Sequence, residues 1–172
     1  DDYAATTSTS GSVTVGGSST GSIEIAGDQD WFAVSLTAGN IYHIDLEGSP
    51  TSAGSLADPY LRGLYNASGT LISGTTDDDN GSGTNSQLLY TATTTGTHYI
   101  AAGAYNSTYY DNTGTYRVSV TQTGSADDYT ATTSTSGSVT VGGSATGSIE
   151  IAGDQDWFAV SLTAGNIYHI DL

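Results

Sequence analysis

The chain has 172 residues with 18 acidic and 2 basic side chains, a formal charge of −16, and both basic residues are arginines, Arg62 and Arg117. Such a surface repels nucleic acid and anionic lipid, which excludes nucleic-acid binding, and no apolar run is long enough for membrane insertion. Cysteine, methionine and lysine are absent, so disulfides, thiolate chemistry and lysine–asparagine crosslinks are excluded as sources of rigidity. The acids are clustered, at Asp1-Asp2, Asp28/Asp30, Asp77-Asp78-Asp79 and Asp127-Asp128. Clustered, sulfur-free carboxylates favour a hard cation such as calcium.

Short stretches with a two-residue hydrophobic period recur along the chain, separated by Gly, Asn, Asp and Ser, and nothing of useful length has a helical period. The pattern predicts strands at 12–15, 22–25, 31–36, 41–46, 60–65, 70–72, 88–92, 98–102 and 116–120. In the third of these, Phe32, Val34 and Leu36 share one face, with Ala33 and Ser35 on the other. In the fourth, Tyr42, Ile44 and Leu46 form the buried set and leave His43 and Asp45 outward; in the last, Tyr116, Val118 and Val120 do the same, with Arg117 and Ser119 on the wet face. Ala38-Gly39-Asn40 and Asn66-Ala67-Ser68-Gly69 read as tight hairpin turns. The longest connections are 47–58 and 73–86, the second of which carries an acidic cluster. Eight or nine short strands with turn signals between them predict an all-β fold, an antiparallel β-sandwich of jelly-roll type. His43, His98 and His169 have no partner at metal-ligand spacing and are expected at solvent-facing or sheet-edge strand positions.

Residues 1–46 recur as residues 127–172 with only two differences, Ala4/Thr130 and Ser19/Ala145. A long unit repeated with so little drift points to a tandem array of folded modules. This predicts a sandwich module over 1–122, a short linker over 123–126 and the N-terminal part of a second module over 127–172. In the alternative phase, 47–172 forms the sandwich. Because either 46-residue segment can complete it, the expected partners are neighbouring modules of the same chain and, through strand exchange, a domain-swapped second molecule.

Taken in order, Gly27-Asp28-Gln29-Asp30-Trp31-Phe32, Leu36-Thr37-Ala38-Gly39, Asp58-Pro59-Tyr60-Leu61-Arg62, Asp77-Asp78-Asp79, Gly96-Thr97-His98-Tyr99-Ile100 and Gly114-Thr115-Tyr116 resemble the bacterial pre-peptidase C-terminal domain. The resemblance covers nearly all of residues 1–126 and implies a β-sandwich jelly roll of secreted proteases and repeated surface arrays, with no catalytic residues. It further implies calcium held between an acidic N-terminal segment and the Asp28/Asp30 loop, as in collagen-binding relatives. Gly63 stands where the family usually has a bulky apolar residue and predicts a local bulge.

The first candidate metal site therefore combines Asp1, Asp2, Asp28 and Asp30, repeated as Asp127, Asp128, Asp154 and Asp156; the competing reading of Asp-Gln-Asp is a solvated turn before a strand. A looser calcium site would use Asp58 with Asp77, Asp78 and Asp79, against a plain acidic loop. It is no EF-hand: with Gly81 at the sixth position, the first and twelfth fall on Thr76 and Gln87. Gly17-Ser18-Ser19-Thr20-Gly21 matches a nucleophile elbow, but no helix follows and Ala145 replaces Ser19 in the second copy. Tyr105, Tyr109 and Tyr110 form an aromatic-polar loop suited either to binding sugar or peptide or to capping the core. These features predict a non-catalytic, calcium-stabilised spacer of a secreted or cell-surface bacterial adhesin-like protein. The alternative is an accessory module of a secreted hydrolase that binds polysaccharide or extracellular matrix protein.

Overall fold

The computed structural model describes residues 2–105, 112–150 and 152–172. The chain divides into two units, Asp1–Ser125 and Ala126–Leu172. The first unit is an antiparallel β-sandwich. Its strands are β1 (Gly17–Ile23), β2 (Gln29–Leu36), β3 (Ile41–Glu47), β4 (Pro59–Tyr65), β5 (Ser86–Thr91), β6 (Gly96–Ala104) and β7 (Gly114–Gly124). One sheet has the order β1-β7-β3-β5 and the other β2-β6-β4.

The two-residue period places the core. Phe32, Val34 and Leu36 of β2 face Tyr42, Ile44 and Leu46 of β3 and Tyr116, Val118 and Val120 of β7, all buried in one apolar cluster. The expected wet faces also hold: Arg117 is exposed and bonds to Glu47, directly opposite it in the β3–β7 register, at 2.6 Å. A second, smaller cluster of Trp31, Tyr99 and Ala101 lies on the other face of the β2-β6-β4 sheet, with Tyr65 stacked on Trp31 at 4.2 Å between centroids. The expected bulge is present: the β4–β6 register shifts between Leu61 and Gly63, and Gly63 takes φ 120°, a conformation open to glycine.

Several expectations are corrected. Ala38-Gly39-Asn40 makes a tight turn, with the Asn40 amide bonded to the Thr37 carbonyl, but joins no hairpin. β2 and β3 belong to opposite sheets, because each must present its apolar face to the same core from opposite sides. The segment 12–15 is not a strand. It makes one parallel bridge, Ser12 to Ala33, covering the free edge of β2 before turning at Gly16 into β1. Likewise 70–72 contributes only the Leu71–Tyr65 bridge that closes the Asn66–Gly69 turn. His98 is buried, not solvent-facing: its Nδ1 meets the Gly96 carbonyl at 3.1 Å and its Nε2 meets Thr94 Oγ1 at 3.4 Å, so both ring nitrogens are satisfied within the loop that precedes it.

The second unit, taken alone, repeats the local geometry of residues 1–46. The bonds Val139 N to Ala159 O, Ala159 N to Gly137 O and Thr163 N to Tyr168 Oη match Val13 N to Ala33 O, Ala33 N to Gly11 O and Thr37 N to Tyr42 Oη. Its described residues form no strand, and Trp157, Leu162, Ile167 and Ile170 are exposed. The segments that pair with β1, β2 and β3 come from residues 86–124, which occur once in this chain.

Ile44 is fully buried at the centre of the core. Ile44→Ala is expected to cost about 2–5 kcal/mol in urea denaturation, whereas Leu89→Ala, at an exposed β5 position, stays within about 0.5 kcal/mol.

Candidate functional site

The turn between β1 and β2 and the start of β2 gather the N-terminal acids. Asp28 caps its own turn: its Oδ1 accepts from the Gln29 amide at 2.9 Å and its Oδ2 from the Glu24 amide at 3.4 Å. Asp2 accepts from the Ser22 amide at 3.1 Å, tying the N-terminal segment to β1. Asp30 lies on β2 and is fully buried. Its Oδ2 accepts a short bond from the Tyr116 hydroxyl of β7, in the opposite sheet, while its Oδ1 is sealed and has no partner. Burial above all, opposed by the Tyr116 bond and reinforced by Asp2, raises the Asp30 carboxyl to about 7. The Tyr116 hydroxyl is itself pushed up, chiefly by burial and then by Asp30. Asp1 lies outside the described residues.

The second copy repeats the backbone bonds of this turn, but its Asp156 is half-buried and has no counterpart of the Tyr116 bond among the described residues. Asp127, Glu150, Asp154 and Asp156 each offer a carboxylate oxygen within 4.8 Å of the others. Asp128 accepts from the Ser148 amide at 3.1 Å, as Asp2 does from Ser22. Asp154 is lowered, mainly by the Glu150 amide, while Glu150 and Asp156 are raised by lost hydration and neighbouring carboxylates. Glu150 Oε2 and Asp156 Oδ1 are sealed and unpartnered. Sequence reasoning missed Glu150 and its equivalent Glu24. Both stand within a strand-like Ser-Ile-Glu-Ile alternation, where an outward acid reads as an ordinary wet-face residue.

A second acidic group sits between the two longest loops. Asp58, Asp78 and Asp79 place carboxylate oxygens within 4.8 Å of one another. Asp77 is turned away to organise the loop: Asn80 donates to it, and so does the Gln87 amide at 2.7 Å. Tyr105 is 45 % exposed, its ring 6.0 Å from that of Tyr60, over which the Arg62 guanidinium lies at 4.6 Å. Tyr109 and Tyr110 lie outside the described residues. The Gly17–Gly21 motif is part of β1.

The first unit is thus an antiparallel β-sandwich whose polar chemistry is concentrated in carboxylates along its edges. Residues 28–104, the stretch from β2 to β6, match the bacterial pre-peptidase C-terminal domain. No curated protein matches the chain. Among solved structures, it is similar to the pre-peptidase C-terminal domain of collagenase from Bacillus anthracis. Identity there is 16 % and the TM-score 0.45, over 64 % of this chain and 92 % of that one. It is also similar to PliG, a periplasmic inhibitor of g-type lysozyme, from Aeromonas hydrophila (17 % identity, TM-score 0.36, 64 % of this chain and 97 % of that one). PliG from Salmonella Typhimurium gives 14 % identity and a TM-score of 0.37 over 64 % of this chain and 98 % of that one. No helix among the described residues is long and apolar enough to cross a membrane.

Two outcomes follow for chelator-treated protein. Asp30 and Asp58 keep their protons up to about 7 and about 6 when folded, whereas unfolded aspartates lose theirs near ~3.9. The folded state therefore binds more protons across that window, and stability rises as pH falls through it. The melting temperature without metal should be higher at pH 5.5 than at pH 8; a melting temperature equal or lower at pH 5.5 would contradict the burial of these carboxyls. Tyr116→Phe removes the donor to a buried carboxylate and should cost about 1–3 kcal/mol in denaturant titration.

Proposed function

We propose that the protein is a non-catalytic, calcium-stabilised repeat module of a large secreted or surface bacterial protein, acting as a spacer in an adhesin-like array. The observation that carries this reading is the near-identical recurrence of residues 1–46 as 127–172, acidic cluster included. Repetition of a whole folding unit suits extension, because each added copy lengthens the chain without new chemistry. In such an array, each 46-residue segment is completed by the stretch that follows it, as residues 1–46 are by β4 to β7. Neighbouring modules are then the principal partners. Strand exchange with a second molecule uses the same surfaces.

The donor set fits calcium. Asp2, Glu24, Asp28 and Asp30 are all hard oxygen donors, as are their counterparts in the second copy. The sealed, unpartnered oxygens of Asp30, Glu150 and Asp156 are what a cation would satisfy. The bound ion would supply positive charge among acids that otherwise repel, and would hold the N-terminal segment against β1 and β2. Binding to the folded state alone stabilises by mass action, about 1–3 kcal/mol per site at millimolar calcium and extracellular-type affinity. The melting temperature should therefore rise by several degrees from EDTA to millimolar calcium, with a smaller response to magnesium. An unchanged melting temperature would refute calcium stabilisation.

A second reading, an accessory module that binds polysaccharide or an extracellular protein, draws on the exposed Tyr105 ring beside Tyr60 and Arg62. On that reading Tyr105→Ala would weaken retention on immobilised polysaccharide or collagen, with melting unchanged. Equal retention of variant and wild type would remove it.

A further inference from the structure

We infer that Asp58, Asp78 and Asp79 form a separate calcium site that clips together the two longest loops at the edge of the sandwich opposite the N-terminal cluster. The inference extends the calcium reading to a different set of residues and stands on its own geometry.

Asp58 immediately precedes β4, and Asp78 and Asp79 lie in the loop before β5. β4 is the last strand of its sheet and β5 the last of the other. The N-terminal acids sit by β1 and β2, the strands that end the same two sheets on the opposite side. The loops around Asp58 and Asp78 are held by uncharged bonds before any ion is considered. Ser86 Oγ is 2.9 Å from each of the Pro59, Asp77 and Asp78 carbonyls and accepts from the Leu61 amide at 3.0 Å. Leu61 and Asp77 exchange backbone bonds of 2.9 and 3.0 Å. Asn85 takes the Gly48 amide at 2.9 Å and donates to Thr51 Oγ1 at 3.1 Å. This framework brings three carboxylates together without neutralising them.

The decisive residue is Asp58. It is only 5 % exposed, its Oδ1 is sealed from solvent without a hydrogen-bond partner, and one of its oxygens lies within 4.8 Å of oxygens on Asp78 and Asp79. Asp78 Oδ1 is sealed and unpartnered as well. A buried carboxylate oxygen with no donor is costly, and three clustered carboxylates compound the cost. Arg62 acts on Asp78 less than burial, Asp79 and Asp77 do, which leaves net negative charge at the cluster for a divalent ion to balance. Its NH2 group is already engaged by the Ala104 carbonyl at 2.6 Å. The three side chains grade from buried Asp58 through half-buried Asp78 to exposed Asp79, which leaves the solvent side open for water ligands. Three carboxylates supply at most about six oxygens, and calcium accepts six to eight with water completing the shell.

The test is calorimetric titration of the full chain, stripped of metal, with calcium chloride, together with melting curves in EDTA and in calcium. Asp58→Asn is expected to bind one ion fewer than wild type and to lose part of the calcium-induced rise in melting temperature. In EDTA the same variant should melt at or above wild type, since it removes an unpaired buried charge. Asp79→Asn, an exposed change that leaves the fold intact, should weaken the same site several-fold. Asp30→Asn combined with Asp156→Asn should keep the binding that Asp58→Asn removes. Unchanged stoichiometry in Asp58→Asn would overturn this site alone, leaving the N-terminal reading in place. Equal destabilisation by Asp58→Asn in EDTA and in calcium would make the residue merely structural. No calcium bound by wild type would overturn both sites.

Discussion

The bond from the Tyr116 hydroxyl to Asp30 ties the two sheets together at a buried point where neither group reaches water. Tyr116 belongs to β7 and Asp30 to β2, so the pair spans the sandwich near its β1–β2 edge. Around it the apolar side chains of both sheets pack face to face, with Phe32 meeting the Tyr116 ring edge-on at 6.1 Å. Fixing Asp30 there has a consequence for everything nearby. Its second oxygen is left sealed and unpartnered beside Asp2 and Asp28, in a protein with no lysine. The structure concentrates negative charge where the sheets must be held closed.

A chain without disulfides has few ways to secure the edges of a sandwich. The ion pair of Arg117 with Glu47 is exposed and contributes little. The free edge of β2 is covered by the N-terminal segment through the Ser12–Ala33 bridge, and that segment is anchored by the Asp2 to Ser22 bond and by Tyr3 packing on Phe32 at 4.8 Å. At the other edge, Ser86 and Asn85 stitch the long loops together. On the proposed reading, calcium completes both edges. Extracellular calcium would then set the stiffness of a module built without covalent crosslinks.

Much of the fold was legible in the sequence, because burial on one face imposes a period of two that no helix shares. The faces of β2, β3 and β7 follow directly from Phe32-Val34-Leu36, Tyr42-Ile44-Leu46 and Tyr116-Val118-Val120. Pairing was not legible in the same way. An apolar face records that a strand borders the core, not from which side, so the Ala38–Asn40 turn was indistinguishable from a hairpin. His98 was missed because its partners, Gly96 and Thr94, satisfy it locally and leave no signature in spacing. Among the acids, runs of aspartate marked the right loops but not the division of labour within them. Asp77 accepts with its two oxygens from Asn80 in its own loop and from the Gln87 amide of β5, Asp78 faces Asp58 across 20 positions of sequence, and Glu24 joins Asp28 only through the turn between β1 and β2.

The central claim is that the sealed carboxylates are cation sites and not merely tolerated burial. Anomalous diffraction from crystals grown with calcium and then exchanged for a lanthanide tests it most directly. The account predicts a peak about 2.3–2.6 Å from an Asp30 oxygen, with its counterpart at Asp156. Well-ordered Asp30 and Asp156 with no anomalous peak beside them, at saturating ion, would contradict it.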